Sequence, residues 1–358
     1  MILYQWRGSH RNFGDELNSL LWPRLLPDFF DQNEATRFLG IGSILDDRHE
    51  PSAVKLVAGS GYGGYRPQIV LDESWIVHWV RGRRTARLLG LPPDLGIGDP
   101  ASLVPLAGLA PPREHRDIGF IPHFESVTRG AWHEVAERAG ATLIDPRDDP
   151  LTVIAAIGKC RLVMSEALHG VIVADALRVP WIAIRPLAAI HRPKWFDWAE
   201  TLDLSIEFNG MPPSTALERA HLTHLSRFHL GRRVLHHQAV RLRGIDGQRH
   251  IDRAAQALRA VSRTEPQLSR SVQLEASQHR MMEAIAALRK HPMRGWRGDA
   301  NPGGAALPAA SASLHGNGDC AYQDVLGRLT AGTRGALTAG EKTAIDAAHL
   351  RPVAPDSA

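Results

Sequence analysis

Ser165, Glu166, Leu168 and His169 fall in one short segment, SEALHG, between an apolar run ending at Met164 and a helix-spaced set, Val171, Ala174 and Leu177. The segment reads as strand, turn and helix, so its side chains stand at a strand's carboxyl end. Open α/β sheets take ligands there, and a following helix N-terminus favours anions. An imidazole in that place is suited to proton transfer near neutral pH. A histidine that merely caps the turn would satisfy the same residues, so the case for chemistry rests on the groups that accompany it.

Those groups recur at other strand ends. Asn12 and Asp15, in GSHRNFGDELN, stand where a loop enters a helix; they would serve either as N-caps or as contacts to the hydroxyls of a substrate. The turn of Gly59, Ser60 and Gly61 lets backbone approach a ligand closely, yet it lacks the GxGxxG order and the acidic ribose partner of a dinucleotide site. Arg81 and Arg84 occupy a strand-to-helix turn in which a guanidinium fork suits phosphate or carboxylate, with a solvated basic face as the plainer alternative. His123 ends a strand. His191 and Lys194 stand one loop beyond another strand, in an aromatic segment that could equally be packing. No His/Asp/Glu grouping has the spacing of a metal site, and neither metal nor cofactor is expected.

The elements that would position these residues alternate strand and helix on both sides of a proline-rich, charged linker, GLAPPREHRD. The expected architecture is therefore α/β, with two doubly wound Rossmann-like domains facing a cleft, C-terminal helices and a mobile tail. The boundaries read as 1–108 for the first domain, 109–290 for the second with its added helices, and 291–358 for a low-complexity tail rich in glycine, proline and alanine. Helix-spaced apolar residues from about 214 to 290 are expected to pack on the second domain or cross back to the first.

Composition narrows the function classes. With 358 residues, 44% hydrophobic and 22% charged, the chain suits a two-domain globular enzyme. Its net charge of +4 is carried mostly by arginine, without a compact basic and aromatic run, so nucleic acid is not an expected partner. Two cysteines, Cys160 and Cys320, make neither a disulfide framework nor a thiolate metal site and fit a cytoplasmic protein. No apolar stretch reaches the length of a membrane span and no signal peptide is recognisable, which leaves peripheral association with the inner face of the membrane open.

Taken in order, the motifs NFGDELN (12–18), FLGIGSIL (38–45), VRGRRTARLLGL (80–91), GDPA (98–101), FIPH (120–123), LIDP (143–146), SEALHG (165–170) and KWFDW (194–198) make the chain resemble the polysaccharide pyruvyl transferase family, in particular the bacterial exopolysaccharide ketal-pyruvate transferases. The resemblance implies a two-domain fold of the GT-B type, and transfer of a pyruvyl group from phosphoenolpyruvate, as co-substrate, to two hydroxyls of one sugar. It also implies a donor site in the second domain and a saccharide acceptor, free or lipid-linked, held by the first.

On that reading His169 transfers the proton and Glu166 or Ser165 fixes its tautomer. Arg81, Arg84, Ser165, Leu168, Arg185, His191, Lys194 and His123 hold the donor, while Asn12, Asp15, Gly59, Ser60 and Gly61 hold the acceptor. Many relatives carry arginine where this chain has Ala167. Arg81, Arg84, Arg185 or Lys194 would then supply the missing charge. A nucleotide-sugar glycosyltransferase and a non-catalytic sugar-binding protein of polysaccharide assembly are the competing expectations.

Overall fold

A computed structural model describes residues 1–8, 10–187, 191–222 and 246–297. Its two five-stranded sheets make the protein a mixed α/β fold. The first sheet runs β1 (Ile2–Tyr4), β2 (Thr36–Leu39), β3 (Val54–Ala58) and β4 (Trp75–Trp79), all parallel and in sequential order, and is closed at one edge by the antiparallel β10 (Trp296–Arg297). The second joins β5 (Asp117–Ile121), β6 (Thr142–Leu143), β7 (Cys160–Ser165), β8 (Trp181–Ile184) and β9 (Phe208–Asn209) in the order β6-β5-β7-β8-β9, parallel throughout.

The strand patterns explain these layers. In β7, Leu162 and Met164 face one apolar cluster while Val163 faces the other, so the strand is apolar on both sides, as a parallel strand covered on both faces must be. Helices α4 (Trp132–Ala139) and α9 (Asp246–Val261) cover the first of these faces, and α5 (Pro150–Lys159) and α6 (Leu168–Ala176) the second. The second sheet is thus doubly wound. Its order reverses between β5 and β7, and ligands bind outside the strand ends at such a reversal. The first sheet has no reversal, so the expectation of two doubly wound sheets is corrected there.

Helix α6 was expected to bury one face, Val171, Ala174 and Leu177, but every residue of it except His169 is buried. The reason is its position between the second sheet and elements of the first half. One continuous apolar cluster runs from Phe13, Leu17 and Trp22 of α1 (Phe13–Leu25) through Ala101 and Leu103 to Val171, Ile172 and Val173 of α6. Each large aliphatic chain buried there contributes about 1.5–3 kcal/mol, so the two halves share a core as well as a linker.

Further elements bridge the halves. α2 (Arg83–Leu88) follows β4 and meets α7 (Pro193–Ala199), while α3 (Phe124–Arg129) and α8 (Ala216–Leu222) flank the second sheet. α10 (Ser271–Lys290) returns to the first half, where Ser277 Oγ donates to Ile97 O at 2.9 Å and Gln278 Nε2 to Ser102 O at 2.7 Å. Thus α9 packs on the second sheet and α10 crosses back. The segment from 291, read as the start of a featureless tail, begins instead with ordered pairing: β10 hydrogen-bonds β4, and His78 Nε2 lies 2.9 Å from Pro292 O. Residues 298–358 lie outside the described residues, as do Leu225, Phe228, Leu230 and Val234. Among the described residues no helix is long and apolar enough to cross a membrane.

Candidate active site

The reversal point of the second sheet carries the histidines. β5 ends at Ile121 and its turn presents His123; β7 ends at Ser165 and its turn presents His169. That second turn is built by Ser165, whose buried hydroxyl donates to Ala167 O at 2.8 Å and accepts from Ala167 N at 3.1 Å. Ala167 stays extended, so α6 begins at Leu168 with His169 in its first turn. Ser165 and the buried Leu168 therefore shape the turn.

The His169 side chain is 14% exposed, and its Nε2 stands 3.6 Å from Oδ2 of Asp99, itself 1% exposed. Both atoms are buried and neither has a hydrogen-bond partner, so each faces the other just beyond bonding distance, while Asp99 Oδ1 accepts from Ala101 N at 3.0 Å. Burial alone would raise the Asp99 carboxyl, but the facing His169, with charge from Arg81 and the Ala101 amide, holds it below its ordinary range. Asp99 is thus the carboxylate that faces His169 Nε2. Sequence reading expected Glu166 or Ser165 to fix the His169 tautomer. Glu166 instead accepts from His123 N at 2.9 Å, Ser126 Oγ at 3.0 Å and Leu187 N at 3.0 Å, tying together the turns after β5 and β8. Its burial raises the carboxyl despite these bonds.

On the other side of the imidazole stands the NFGDELN motif. Gly14 packs against His169 so closely that any side chain would overlap it. Asn12 Nδ2 donates to Asp15 Oδ2 at 2.6 Å. Asp15 keeps an accessible rim, yet protein surrounds its carboxyl and burial raises it, against the pull of His169, Asn12, Lys194 and Arg48. Asn18, which sequence reading passed over, is fully buried and bonds Ile41 N at 2.7 Å, Ile41 O at 2.8 Å and Trp22 Nε1 at 3.0 Å. It pins α1 to the turn after β2, and so fixes where Gly14 and Asp15 lie.

Lys194 is half-buried at the start of α7, and its charge acts on Asp15, His123 and His191. The two imidazoles stack, with centroids 4.3 Å apart. Burial, then the neighbouring His191, Lys194 and Arg129, pushes His123 well down; burial and Lys194 lower His191 against the opposing effect of Glu125. Tyr65, from the first half, reaches across so that its hydroxyl lies 3.0 Å from His191 Nδ1. His123, Glu125 and His191 each place a potential metal-ligating atom within 4.8 Å of the others. The grouping is spatial, across 68 positions of chain, and has no local signature in the sequence.

Other expected site residues have partners of their own. Arg81, 1% exposed, donates from Nε to Asp197 Oδ2 at 2.9 Å, from Nη1 to Ser43 Oγ at 2.7 Å and from Nη2 to Tyr62 O at 3.1 Å. Arg84 pairs with Glu200 at 2.6 Å. In this structure both clasp the two halves together through these partners. Gly61 makes room for the Arg81 guanidinium, Gly59 for the Pro100 ring, and the buried Ser60 hydroxyl donates to Gly40 O at 2.6 Å. These three support the core of the site. Arg185 is half-buried just past β8, with its amide donating to Asn209 O at 2.9 Å. Beside the motif loop an open cleft is lined by Trp6, Arg7, His10, Arg11 and Asn12.

A paired imidazole and carboxylate at the reversal point of a parallel sheet, with a lysine and two further imidazoles nearby, define a group-transfer site with acid–base capacity and a place for an anion. The family model for polysaccharide pyruvyl transferase matches residues 70–186, which carry Asp99, His123 and His169. Succinoglycan biosynthesis protein ExoV of Rhizobium meliloti (strain 1021) is 41% identical over 220 residues, covering 60% of this chain and 69% of that protein. The chain belongs to the polysaccharide pyruvyl transferase family, and is a transferase acting on polysaccharide. No solved structure matches the chain.

Proposed function

We propose that the protein transfers a pyruvyl group from phosphoenolpyruvate to two hydroxyls of one sugar in an exopolysaccharide or its lipid-linked precursor, forming a cyclic ketal and releasing phosphate. The observation that carries this reading is the His169–Asp99 pair, buried at the switch point with Lys194 and Asp15 close by.

In the reaction, His169 delivers a proton to the methylene carbon, making the central carbon electrophilic. One sugar hydroxyl adds there and gives up its proton. The carbon–phosphate oxygen bond then breaks, the second hydroxyl adds, and its proton leaves with the phosphate. Positioned acid–base catalysis of this kind typically contributes about 10²- to 10⁴-fold. Asp99 holds Nε2, so Nδ1, on the Gly14 side, is the nitrogen that moves the proton. Lys194, with Arg185 as a neighbouring candidate, balances the donor's carboxylate and phosphate, which cannot enter a dry cleft unpaired, and His123 and His191 offer it hydrogen bonds. Asn12 and Asp15 face the acceptor. The two halves act in the GT-B manner, acceptor on the first and donor on the second. The protein works in the cytoplasm, at the inner face of the membrane when its acceptor is lipid-linked.

The test is incubation of purified protein with phosphoenolpyruvate and a panel of synthetic or lipid-linked saccharides, read by mass spectrometry for the pyruvyl increment and by phosphate release. Turnover lost on the order of 10²-fold in folded His169→Ala, with donor binding retained, is the expected result; Lys194→Ala should instead raise the donor KM. Near-normal turnover in folded His169→Ala would remove the mechanism.

A further inference from the structure

We propose that His123, Glu125 and His191 form a binding site for a divalent transition-metal ion of the zinc or cobalt type. Among the described residues they are the trio of His, Cys, Asp or Glu whose ligand atoms converge, each within 4.8 Å of the others. Two nitrogens and one carboxylate oxygen form a familiar zinc donor set that leaves one tetrahedral position open.

The distances need little adjustment. Tetrahedral zinc with bonds of about 2.0–2.1 Å places its ligand atoms roughly 3.3 Å apart. His191 Nε2 and Glu125 Oε2 already stand 3.5 Å apart, and His123 Nδ1 and Glu125 Oε2 3.9 Å. Both histidines are held by rigid structure: His123 at the N-terminus of α3, and His191 between the Tyr65 hydroxyl and the stacked His123 ring.

Tyr65 supplies the outer contact that ligating histidines usually have. The Tyr65 hydroxyl lies 3.0 Å from His191 Nδ1 and the Glu125 carboxylate 3.5 Å from Nε2; in the tautomer that donates Nδ1–H to Tyr65, the Nε2 lone pair is left for an ion. Two cations border the site: Arg129, 3.4 Å from the same Glu125 oxygen, and Lys194, whose charge acts on both rings. They oppose any dication electrostatically and suit an anionic occupant of the open position, while the two nitrogens set the preference for zinc or cobalt over magnesium or calcium, which depend on several oxygen ligands.

The site is tested on metal-free, untagged protein titrated with Co²⁺ in the absence of phosphoenolpyruvate, so the result does not depend on the donor. Saturable one-to-one uptake with intense visible bands of tetrahedral Co²⁺, bleached by Zn²⁺, is expected. His191→Ala and Glu125→Gln should each weaken binding at least tenfold or so, and Tyr65→Phe about 10-fold, as loss of an outer contact does. Circular dichroism checks that the variants are folded, and the partly exposed Glu125 is the position least prone to disturb folding. His279→Ala, in an exposed His279–Glu283 pair at 3.3 Å, should leave binding unchanged. Absence of saturable uptake, uptake indifferent to Glu125→Gln and His191→Ala, or uptake lost with His279→Ala would overturn the proposal.

Discussion

Gly14 lies directly against His169: a β-carbon on Gly14 would stand closer than 3.0 Å to Nδ1, Cγ and Cβ of the histidine. The two residues come from different halves of the molecule, so this contact sets how closely α1 approaches α6. Gly14→Ala should push the imidazole aside or part the halves, costing about 1–3 kcal/mol as overpacking does. Turnover should fall further, on the order of 10²-fold, because a displacement of about 1 Å at a reacting group has that effect. Denaturant midpoints and kcat measured on the same preparations test this; unchanged kcat would mean that Nδ1 does not face the substrate.

Asp99→Asn preserves shape but removes the charge that meets His169 Nε2. The expected outcome is a loss of kcat on the order of 10²-fold with a smaller change in donor KM, the split that marks an interaction acting in the transition state. An equal rise in KM with kcat intact would make Asp99 a binding residue and leave His169 without its orienting partner.

The sequence made the second sheet and the place of His169 legible because both are local: an apolar run, a polar turn and a helical spacing lie within about twenty residues. Asp99 sits in a recognised motif, GDPA, yet its partner is 70 positions away, and only folding shows that the two meet. Glu166 was the natural guess because it is three residues from His169, but an extended turn points neighbouring side chains apart. Arg81 was read as a donor contact for a related reason. A guanidinium in a turn calls for an anion, and sequence cannot tell a ligand's carboxylate from that of Asp197, 116 residues on.

Arg81→Ala therefore tests structure more than binding. Removing one partner from a buried ion pair costs about 3–5 kcal/mol, since Asp197 stays buried. Thr85, which donates to Asp197 from its amide at 2.9 Å and its hydroxyl at 2.6 Å, softens the loss. The denaturant midpoint should drop clearly while the donor KM of the remaining folded enzyme stays near its original value. A stable variant with a raised KM would restore Arg81 to the donor site.

Glu218 gives a pH dependence with a defined sign. It is buried beneath Trp132 and Ser214, and burial pushes its carboxyl up to about 7, although Ser214 and Trp132 donate to it. An unfolded glutamate titrates near 4.3, roughly, so between about pH 4.3 and 7 the native state binds more protons than the unfolded one. Its contribution is fully present below the unfolded value and is lost as pH rises through the folded one. Urea unfolding should show stability falling across that window, and Glu218→Gln should flatten the slope whatever it does to absolute stability. Identical slopes in the two proteins would assign the dependence to other groups, Glu166 first.

Truncation tests where the folded chain ends. Cutting before His291 removes β10, with Trp296 opposite Val77 and Arg297 opposite Ile76, as well as the Pro292 carbonyl that His78 meets. Trp296 packs half-buried against Leu39, Val57 and Val77, and Gly295 fits where a side chain would overlap Ile76. Losing one partly buried tryptophan and exposing the edge of β4 should cost roughly 1–3 kcal/mol and leave an unpaired strand prone to association. A chain ending at Arg297 keeps all of these contacts, and one ending at Lys290 should melt lower than it and aggregate sooner. Equal melting of the two truncated chains would show that β10 adds nothing to the first sheet.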